Sequence, residues 1–307
     1  KKDSGDDPDV TNGMMIYATL TKTEEKIIKI DGGFGIGRVT KSGLDQAVGN
    51  AAINSVPRMT IEQSLNEVSE EFSYYGGFDV KIFAPQGEEL AKKTYNSRLG
   101  IIGGLSILGT TGIVEPMSED AIVDTIYAQI NVQYEEGKRY LLFTPGNYGN
   151  DFIKENYTID KDAVIKCSNY IGNAIDYAYS KGFEAVLVIG HAGKLLKLAC
   201  GLFNTHSKFG DCRAEVLSTY SAIHGAKSES IEKIINSVTA DEMITEIKKI
   251  GLDKKVLADV MKRIEFHLNA RVYSDIKTGA IVFTDKLGII GKTENAEELL
   301  EKISQGR

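Results

Sequence analysis

Residues 14–20 form an apolar stretch rich in β-formers, and residues 26–30 alternate apolar with polar; both predict strands. A glycine loop, Asp31-Gly-Gly-Phe-Gly-Ile-Gly37, follows the second. Met59, Ile61, Leu65, Val68 and Phe72 are spaced for one helical face and predict a helix over 58–72. Residues 79–83 predict a strand closed by Pro85. Strands and helices here lack regular alternation, which predicts an α+β domain over 1–97.

The pattern changes near residue 97. Residues 99–102 read as a short strand running into a second glycine loop. Ser118 caps a predicted helix over 119–136, with Glu119 and Asp120 in its first turn and Ile122, Ile126 and Ile130 on one face. Strands are predicted at 140–143 and 164–167, and a helix runs on to about 180, with Gly182 beyond its end. The unbroken apolar run 185–189 suits a parallel strand buried on both faces, and another helix is predicted from about 194. Residues 211–268 read as mostly helical, with a Thr239…Glu242 capping box and a closing Gly251. Late strands are predicted at 271–275 and 280–284. Residues 98–307 therefore predict an α/β, Rossmann-like three-layer domain with a helical C-terminal portion.

Composition narrows the function classes. Net charge is −7, so a general nucleic-acid binder, which needs a phosphate-neutralising surface, is not expected. No apolar run approaches the ~18 residues of a membrane span. Three cysteines, an odd count, point to a reducing, cytoplasmic setting rather than a disulfide framework. No signal peptide is evident, although the chain opens on Lys1 rather than Met.

In an open α/β sheet, ligands bind outside the carboxyl ends of the strands. Four predicted strand ends carry unusual loops. The first holds Gly100, Gly103, Gly104, Ser106, Gly109, Thr110, Thr111 and Gly112. The others are Pro145-Gly146-Asn147-Tyr148-Gly149, Cys167-Ser168-Asn169 and Gly190-His191-Ala192-Gly193-Lys194. Glycines there permit close backbone approach to a ligand, so the four loops predict a cofactor cleft; turn-making alone is the competing reading. Gly193-Lys194 fails as a phosphate loop, because position 188 is Val and position 195 is Leu. Cys200, His206 and Cys212 match no zinc spacing, so no metal site is expected, and Cys200 reads as core. His267 lies at helical spacing from Ile264 and Val260 and reads as structural. His191 and His206 stand among polar residues and divide evenly between site and local hydrogen bonding.

Several stretches together resemble one family. They are Lys2-Asp-Ser-Gly-Asp-Asp-Pro-Asp-Val-Thr11, Asp31-Gly-Gly-Phe-Gly-Ile-Gly-Arg-Val-Thr40, Asn54-Ser-Val-Pro-Arg58, Pro85-Gln-Gly-Glu-Glu-Leu-Ala-Lys-Lys-Thr-Tyr-Asn96, the run from Arg98 to Ser118, Lys166-Cys-Ser-Asn169, Gly190-His-Ala-Gly-Lys194 and Asn204-Thr-His206. The chain resembles the cobalt-precorrin-5B C(1)-methyltransferase family of anaerobic cobalamin biosynthesis. A Gly/Thr/Ala-rich opening segment of that family has no counterpart here. The resemblance implies methyl transfer from S-adenosylmethionine to C-1 of a cobalt-bearing tetrapyrrole. It implies a donor site on Gly103, Gly104, Ser106, Gly109, Thr110, Thr111, Gly112, Gly146, Asn147, Gly190 and Gly193, with Glu115 as ribose acceptor by analogy with dinucleotide sites. His191, His206 and Asn169 become positioning candidates. The substrate's carboxylates call for cations, and Arg38, Lys41, Arg58, Lys92, Lys93, Arg98 and Lys194 are the candidates. The macrocycle is then expected between the two domains, over the loops 31–38 and 88–98, with Arg98 the strongest single candidate. Self-association is left open. Two other classes also stay open: a nucleotide-dependent kinase or ligase, and a non-catalytic corrinoid carrier.

Overall fold

The computed structural model describes residues 1–5, 9–109 and 119–306. It is a mixed α/β chain that divides into two compact units, Lys1–Ala121 and Ile122–Arg307. Among the described residues, no helix is long and apolar enough to cross a membrane.

The first unit contains strands β1 (Tyr17–Thr23), β2 (Ile28–Gly32), β3 (Gly35–Ile36) and β4 (Arg38–Val39), then helix α1 (Ser55–Glu71), strand β5 (Gly77–Phe83), helix α2 (Gly87–Ala91) and strands β6 (Ile101–Ile102) and β7 (Gly104–Leu105). A three-stranded sheet runs in the order β1-β5-β2, with β1 antiparallel and β2 parallel to β5. Alternate residues of β5, Phe78, Val80 and Ile82, enter a core with Met14, Ile30, Ile36, Ile53 and Leu105.

Of the five apolar positions that predict α1, only Ile61 and Leu65 pack on that core. Met59 is 61% exposed, because two positions from Ile61 is about 200° around a helix. Val68 and Phe72 share the right face yet stay exposed, so the apolar stripe outruns the core beneath it.

The predicted boundary at 97/98 is corrected to 121/122. The reason is long-range pairing. β6 runs antiparallel to β4 and β7 parallel to β3, so the second glycine loop pairs with the first. Backbone approaches backbone where they meet. A Cβ on Gly87 would overlap the Gly35 carbonyl oxygen, and one on Gly104 would overlap the Gly35 carbonyl group. Gly35 itself, at φ +79°, lies against the carbonyl of Ala84. Glycine at these positions serves packing.

The second unit takes in most of α3 (Glu119–Glu135), then β8 (Tyr140–Thr144), α4 (Asn147–Asn156), β9 (Val164–Lys166), α5 (Ile171–Lys181), β10 (Ala185–His191) and the single-turn α6 (Ala192–Leu195). Helices α7 (Arg213–Ile223), α8 (Ser228–Ile235), α9 (Ala240–Lys249) and α10 (Asp253–Arg271) follow, then β11 (Lys277–Thr284), β12 (Gly288–Lys292) and α11 (Ala296–Ser304). The sheet order is β12-β11-β10-β8-β9, parallel throughout except for β12. The central strand β10 is buried on both faces, as its unbroken apolar run requires. Val186, Val188, Leu141 and Val282 join Ile171, Ile175, Val260 and Ile264 in one core. Leu187, Ile189, Leu142 and Ile281 join Ile153, Leu299 and Ile303 in another. Helices therefore cover both faces of the sheet.

Gly182 closes α5 in the left-handed region at φ 86°, and Thr239 and Glu242 form the full capping box of α9. Two expectations fail. Residues 271–275 are the end of α10 and a turn in which Tyr273 and Ser274 adopt positive φ; the strand starts at Lys277. The helix expected from about 194 is one turn of α-helix passing into a 3-10 stretch that ends at Gly201, φ 74°. β12 and α11 are elements the pattern does not predict.

Candidate functional site

Three adjacent parallel strands, β9, β8 and β10, end at the same edge of the second unit's sheet, where an α/β sheet binds ligands. After β8 the chain turns through Pro145 and Gly146 into α4 without a side-chain cap, leaving the first amide groups of that helix without a side-chain acceptor from its N-cap. Gly146 is extended, and a Cβ there would stand 3.8 Å from the ammonium of Lys194. Lys194 donates to the carbonyl oxygen of Pro145 at 2.6 Å. Burial lowers its pKa, Lys197 lowers it further, and the Cys167 thiol opposes this. Among the described residues no carboxylate pairs with Lys194. Lys197 is 4% exposed and donates to the carbonyls of Thr205, at 3.2 Å, and Gly210, at 2.9 Å. Lys194 thus stands beside an exposed helix start, an arrangement that attracts anions, while Lys197 is buried and bonded to carbonyls.

β9 ends in Lys166-Cys167-Ser168-Asn169, where Lys166 donates to Asn147 Oδ1 at 2.6 Å and Ser168 sits at φ 52°. Asn169 accepts from Thr205 twice, through its backbone carbonyl at 3.0 Å and its side chain at 3.2 Å. This fastens the 204–206 loop beside the strand end and brings His206 into its neighbourhood. His206 is exposed, and its Nδ1 accepts from the Lys208 amide at 3.1 Å. Burial pushes the Cys167 thiol up to about 12, which keeps it protonated and inert.

At the end of β10, His191 Nδ1 accepts from the Gly193 amide at 3.0 Å. Its Nε2 then carries the proton when the ring is neutral, and it faces Asp241 Oδ2 at 3.6 Å. Asp241 stands in the first turn of α9, within the capping box. Its Oδ1 is buried and has no hydrogen-bond partner among the described residues. Thr144 Oγ1 is a second buried atom of this kind, beneath Gly149 in the first turn of α4.

Of the expected donor-site residues, the structure brings together Gly146, Asn147, Gly190 and Gly193, with His191, Asn169 and Lys194. Gly190 is required by packing, since a Cβ there would meet Pro145 at 2.9 Å. Gly103, Gly104, Ser106 and Gly109 belong to the first unit. Gly104 is held by packing on Gly35, and Ser106 donates to Asn96 Oδ1 at 3.2 Å. Gly103, at φ 83°, has open space around its Cβ position. Thr110, Thr111, Gly112 and Glu115 lie outside the described residues.

The expected substrate cations also divide. Arg58 donates to the carbonyls of Ile53 at 2.8 Å, Ile30 at 2.6 Å and Ala51 at 3.3 Å, and so clamps the first unit's core. Arg38 forms a two-pronged pair with Asp31, at 2.6 and 2.9 Å, and also donates to Gly32. Both side chains are thus engaged within the first unit. Lys92, Lys93 and Arg98 have no ion pair among the described residues, and Arg98 stacks over Tyr95 at 5.9 Å. Lys41 takes part in an interaction of its own. Cys200, expected in the core, is exposed. Sequence reasoning missed Asp241, Lys197 and Lys166. Asp241 sits inside a motif that was read only for its cap spacing.

The CbiD family model matches residues 1–116, and the model of the CbiD C-terminal domain matches 204–294. The cobalt-precorrin-5B C(1)-methyltransferase of Ruminiclostridium cellulolyticum is 52% identical over 93% of this chain and 74% of its own length. The chain belongs to the CbiD family. A second relative of the same description, from Treponema denticola, is 42% identical over 94% of this chain and 79% of its own. A solved structure, the cobalamin biosynthesis protein (cbiD) of Archaeoglobus fulgidus, aligns at 28% identity and TM-score 0.31 over 67% of this chain and 63% of that one. This CbiD-family chain thus spans about three quarters of the curated relatives' length and under two thirds of the solved one. The strand ends themselves, residues 144–149, 166–169 and 190–194, fall between the two model matches, whereas His206 and Asp241 lie inside the second, and a relative matched over 93% of the chain takes them all in.

Proposed function

We propose that this chain transfers a methyl group from S-adenosylmethionine to C-1 of cobalt-precorrin-5B. The observation that carries this reading is the 52% identity over 93% of the chain to a relative of that name. When bound, the donor supplies an electrophilic methyl on a sulfonium, with a carboxylate, a ribose diol and an adenine as handles. The strand-end residues suit those handles. Lys194 and the start of α4 offer a cation and amide groups to a carboxylate. The unpartnered Asp241 Oδ1 is an acceptor for a hydroxyl or an ammonium. Gly146 and Gly193 leave the backbone accessible, whereas Gly190 shapes the turn.

Methyl transfer is an in-line displacement, so the chain's work is alignment and exclusion of water. Lys194, held by Pro145, fixes one end of the donor. His191, held by Gly193, keeps its Nε2 proton on the side of Asp241 and so maintains that carboxylate's orientation. The same reading takes the second unit as a Rossmann-like three-layer domain, supported by its four parallel strands and its helices on both faces. It includes a small-molecule tetrapyrrole partner and a cytoplasmic setting.

The test supplies S-adenosylmethionine carrying an isotopically labelled methyl together with cobalt-precorrin-5B. Label at C-1 of the product is the expected result. Calorimetric binding of ATP·Mg without binding of S-adenosylhomocysteine overturns the reading in favour of a kinase or ligase. Macrocycle binding with neither cofactor overturns it in favour of a carrier.

A further inference from the structure

A groove of about 630 Å³ runs along the flank of the second unit, between α9, α10 and the edge strand β12. That volume lies in the ordinary range of small-molecule sites. It shares no lining residue with the strand ends described above. Leu257, Met261 and Ile290 supply an apolar floor. Lys248 from the last turn of α9 and Lys254 from the first turn of α10 stand at the rim.

The charges of the groove are unequal in availability. Four lysines and three acids line it. Two of the lysines are already paired outside the lining, Lys262 with Asp259 and Lys292 with Glu297. Glu265 accepts the backbone amide of Glu294 at 3.2 Å. Asp253 and Glu294 are the other acids, and no ion pair holds either among the described residues. Lys248 and Lys254 likewise have no ion pair among the described residues. α10 carries Asp253 in its first turn, which meets the positive end of that helix, so Lys248 and Lys254, close together where α9 gives way to α10, are the cations the groove offers a ligand. An apolar floor with cations along one side suits a ligand that is apolar in its body and anionic at its periphery.

We propose that this groove is the binding site of the tetrapyrrole polycarboxylate, its ring on Leu257, Met261 and Ile290 and its carboxylates on Lys248 and Lys254. The identity of the ring rests on the methyl-transfer reading; the chemical class rests on the groove. Position supports the assignment. Ile244, which lines the groove, follows Asp241 by one helical turn on nearly the same face of α9. A single helix therefore joins the groove to the proposed donor site. This differs from the expected substrate face in the first unit, where Arg38 and Arg58 are engaged internally.

The test titrates the whole chain with cobyrinic acid, a cobalt corrin polycarboxylate, and with its fully esterified form, following corrin absorbance. The double variant Lys248→Glu with Lys254→Glu should weaken binding of the acid at least tenfold and leave the ester's affinity unchanged. Leu257→Trp, which fills the groove, should weaken both. S-adenosylhomocysteine affinity and thermal unfolding are read on the same samples and should match the parent. Acid affinity unchanged in both variants, or no binding of the acid by the parent, overturns the proposal. If the acid binds through these lysines but no methyl transfer occurs with cobalt-precorrin-5B, the groove stands and the methyl-transfer reading falls. If transfer proceeds and the groove variants match the parent in corrin affinity, the reverse holds.

Discussion

The ammonium of Lys194 donates to the carbonyl oxygen of Pro145 at 2.6 Å, and this holds a half-buried cation over Gly146. Burial, then Lys197, lowers the pKa of Lys194, so the charged form is disfavoured in the folded chain. A bound carboxylate would draw that pKa back up. Binding of S-adenosylhomocysteine should therefore take up protons, and affinity should fall as pH rises through the lowered pKa. Lys194→Met should weaken binding about ten- to hundredfold, the equivalent of about 1.5–3 kcal/mol for a charge-assisted contact. Thermal stability should hold or rise, since an unneutralised buried charge is removed. Calorimetry across a pH series reads both effects; pH-independent affinity equal in parent and variant would show that Lys194 holds no anion.

Gly104→Val tests which role the glycine loop serves. A Cβ there overlaps the Gly35 carbonyl and stands 2.7 Å from the Ile36 carbonyl carbon. The variant should lose at least about 3 kcal/mol of stability, through overpacking against backbone that cannot yield. Gly103→Ala meets open space and should cost only the left-handed strain, about 1–2 kcal/mol. Chemical denaturation of the two variants compares them directly; equal losses would refute the packing role.

Arg58 and Arg98 should separate in the same way. Arg58→Ala removes its bonds to the carbonyls of Ile53, Ile30 and Ala51, of which Ala51 keeps the Ile53 amide, and should destabilise the chain by about 2–3 kcal/mol. Arg98→Ala should leave stability within about 0.5 kcal/mol. If Arg98→Ala also weakens cobyrinic acid binding tenfold, the first unit contributes to macrocycle recognition; unchanged binding leaves that recognition to the second.

Glu298 accepts from Lys277 at 2.8 Å and from Lys302 at 2.6 Å, and its pKa falls from 4.5 to about 2. A carboxylate with a depressed folded pKa stabilises the fold above its unfolded value and loses that contribution as pH falls through the folded one. The stabilisation is present above about pH 4.5 and gone near pH 2. Glu298→Gln should therefore melt below the parent at pH 7 and level with it near pH 2. A constant gap between the two melting curves across that range would refute the pairing.

The parts of the fold that were legible are those whose cause lies within a few residues. The Thr239–Glu242 cap, the αL Gly182 and the buried run of β10 each follow from local hydrogen bonds or burial on both faces. The strand-end loops around Gly146, Asn169, His191 and Lys194 were legible for the same reason, because a sheet of this kind presents its strand ends. The pairing of β3 with β7 was not, since glycines that pack against a distant backbone look like glycines that turn. Asp241 was hidden differently. Its partner His191 lies fifty positions earlier, and nothing in either local sequence names the other.

The meeting of Gly35, Gly87 and Gly104 limits how this chain can vary. An overpacked side chain is usually relieved when its neighbour becomes smaller. Here each neighbour is another glycine's main chain, or that of Ala84 or Ile36, and no smaller residue exists. Selection for restored folding after Gly104→Ala should return the original codon, or a stabilising change elsewhere, and never a compensating change at 35 or 87.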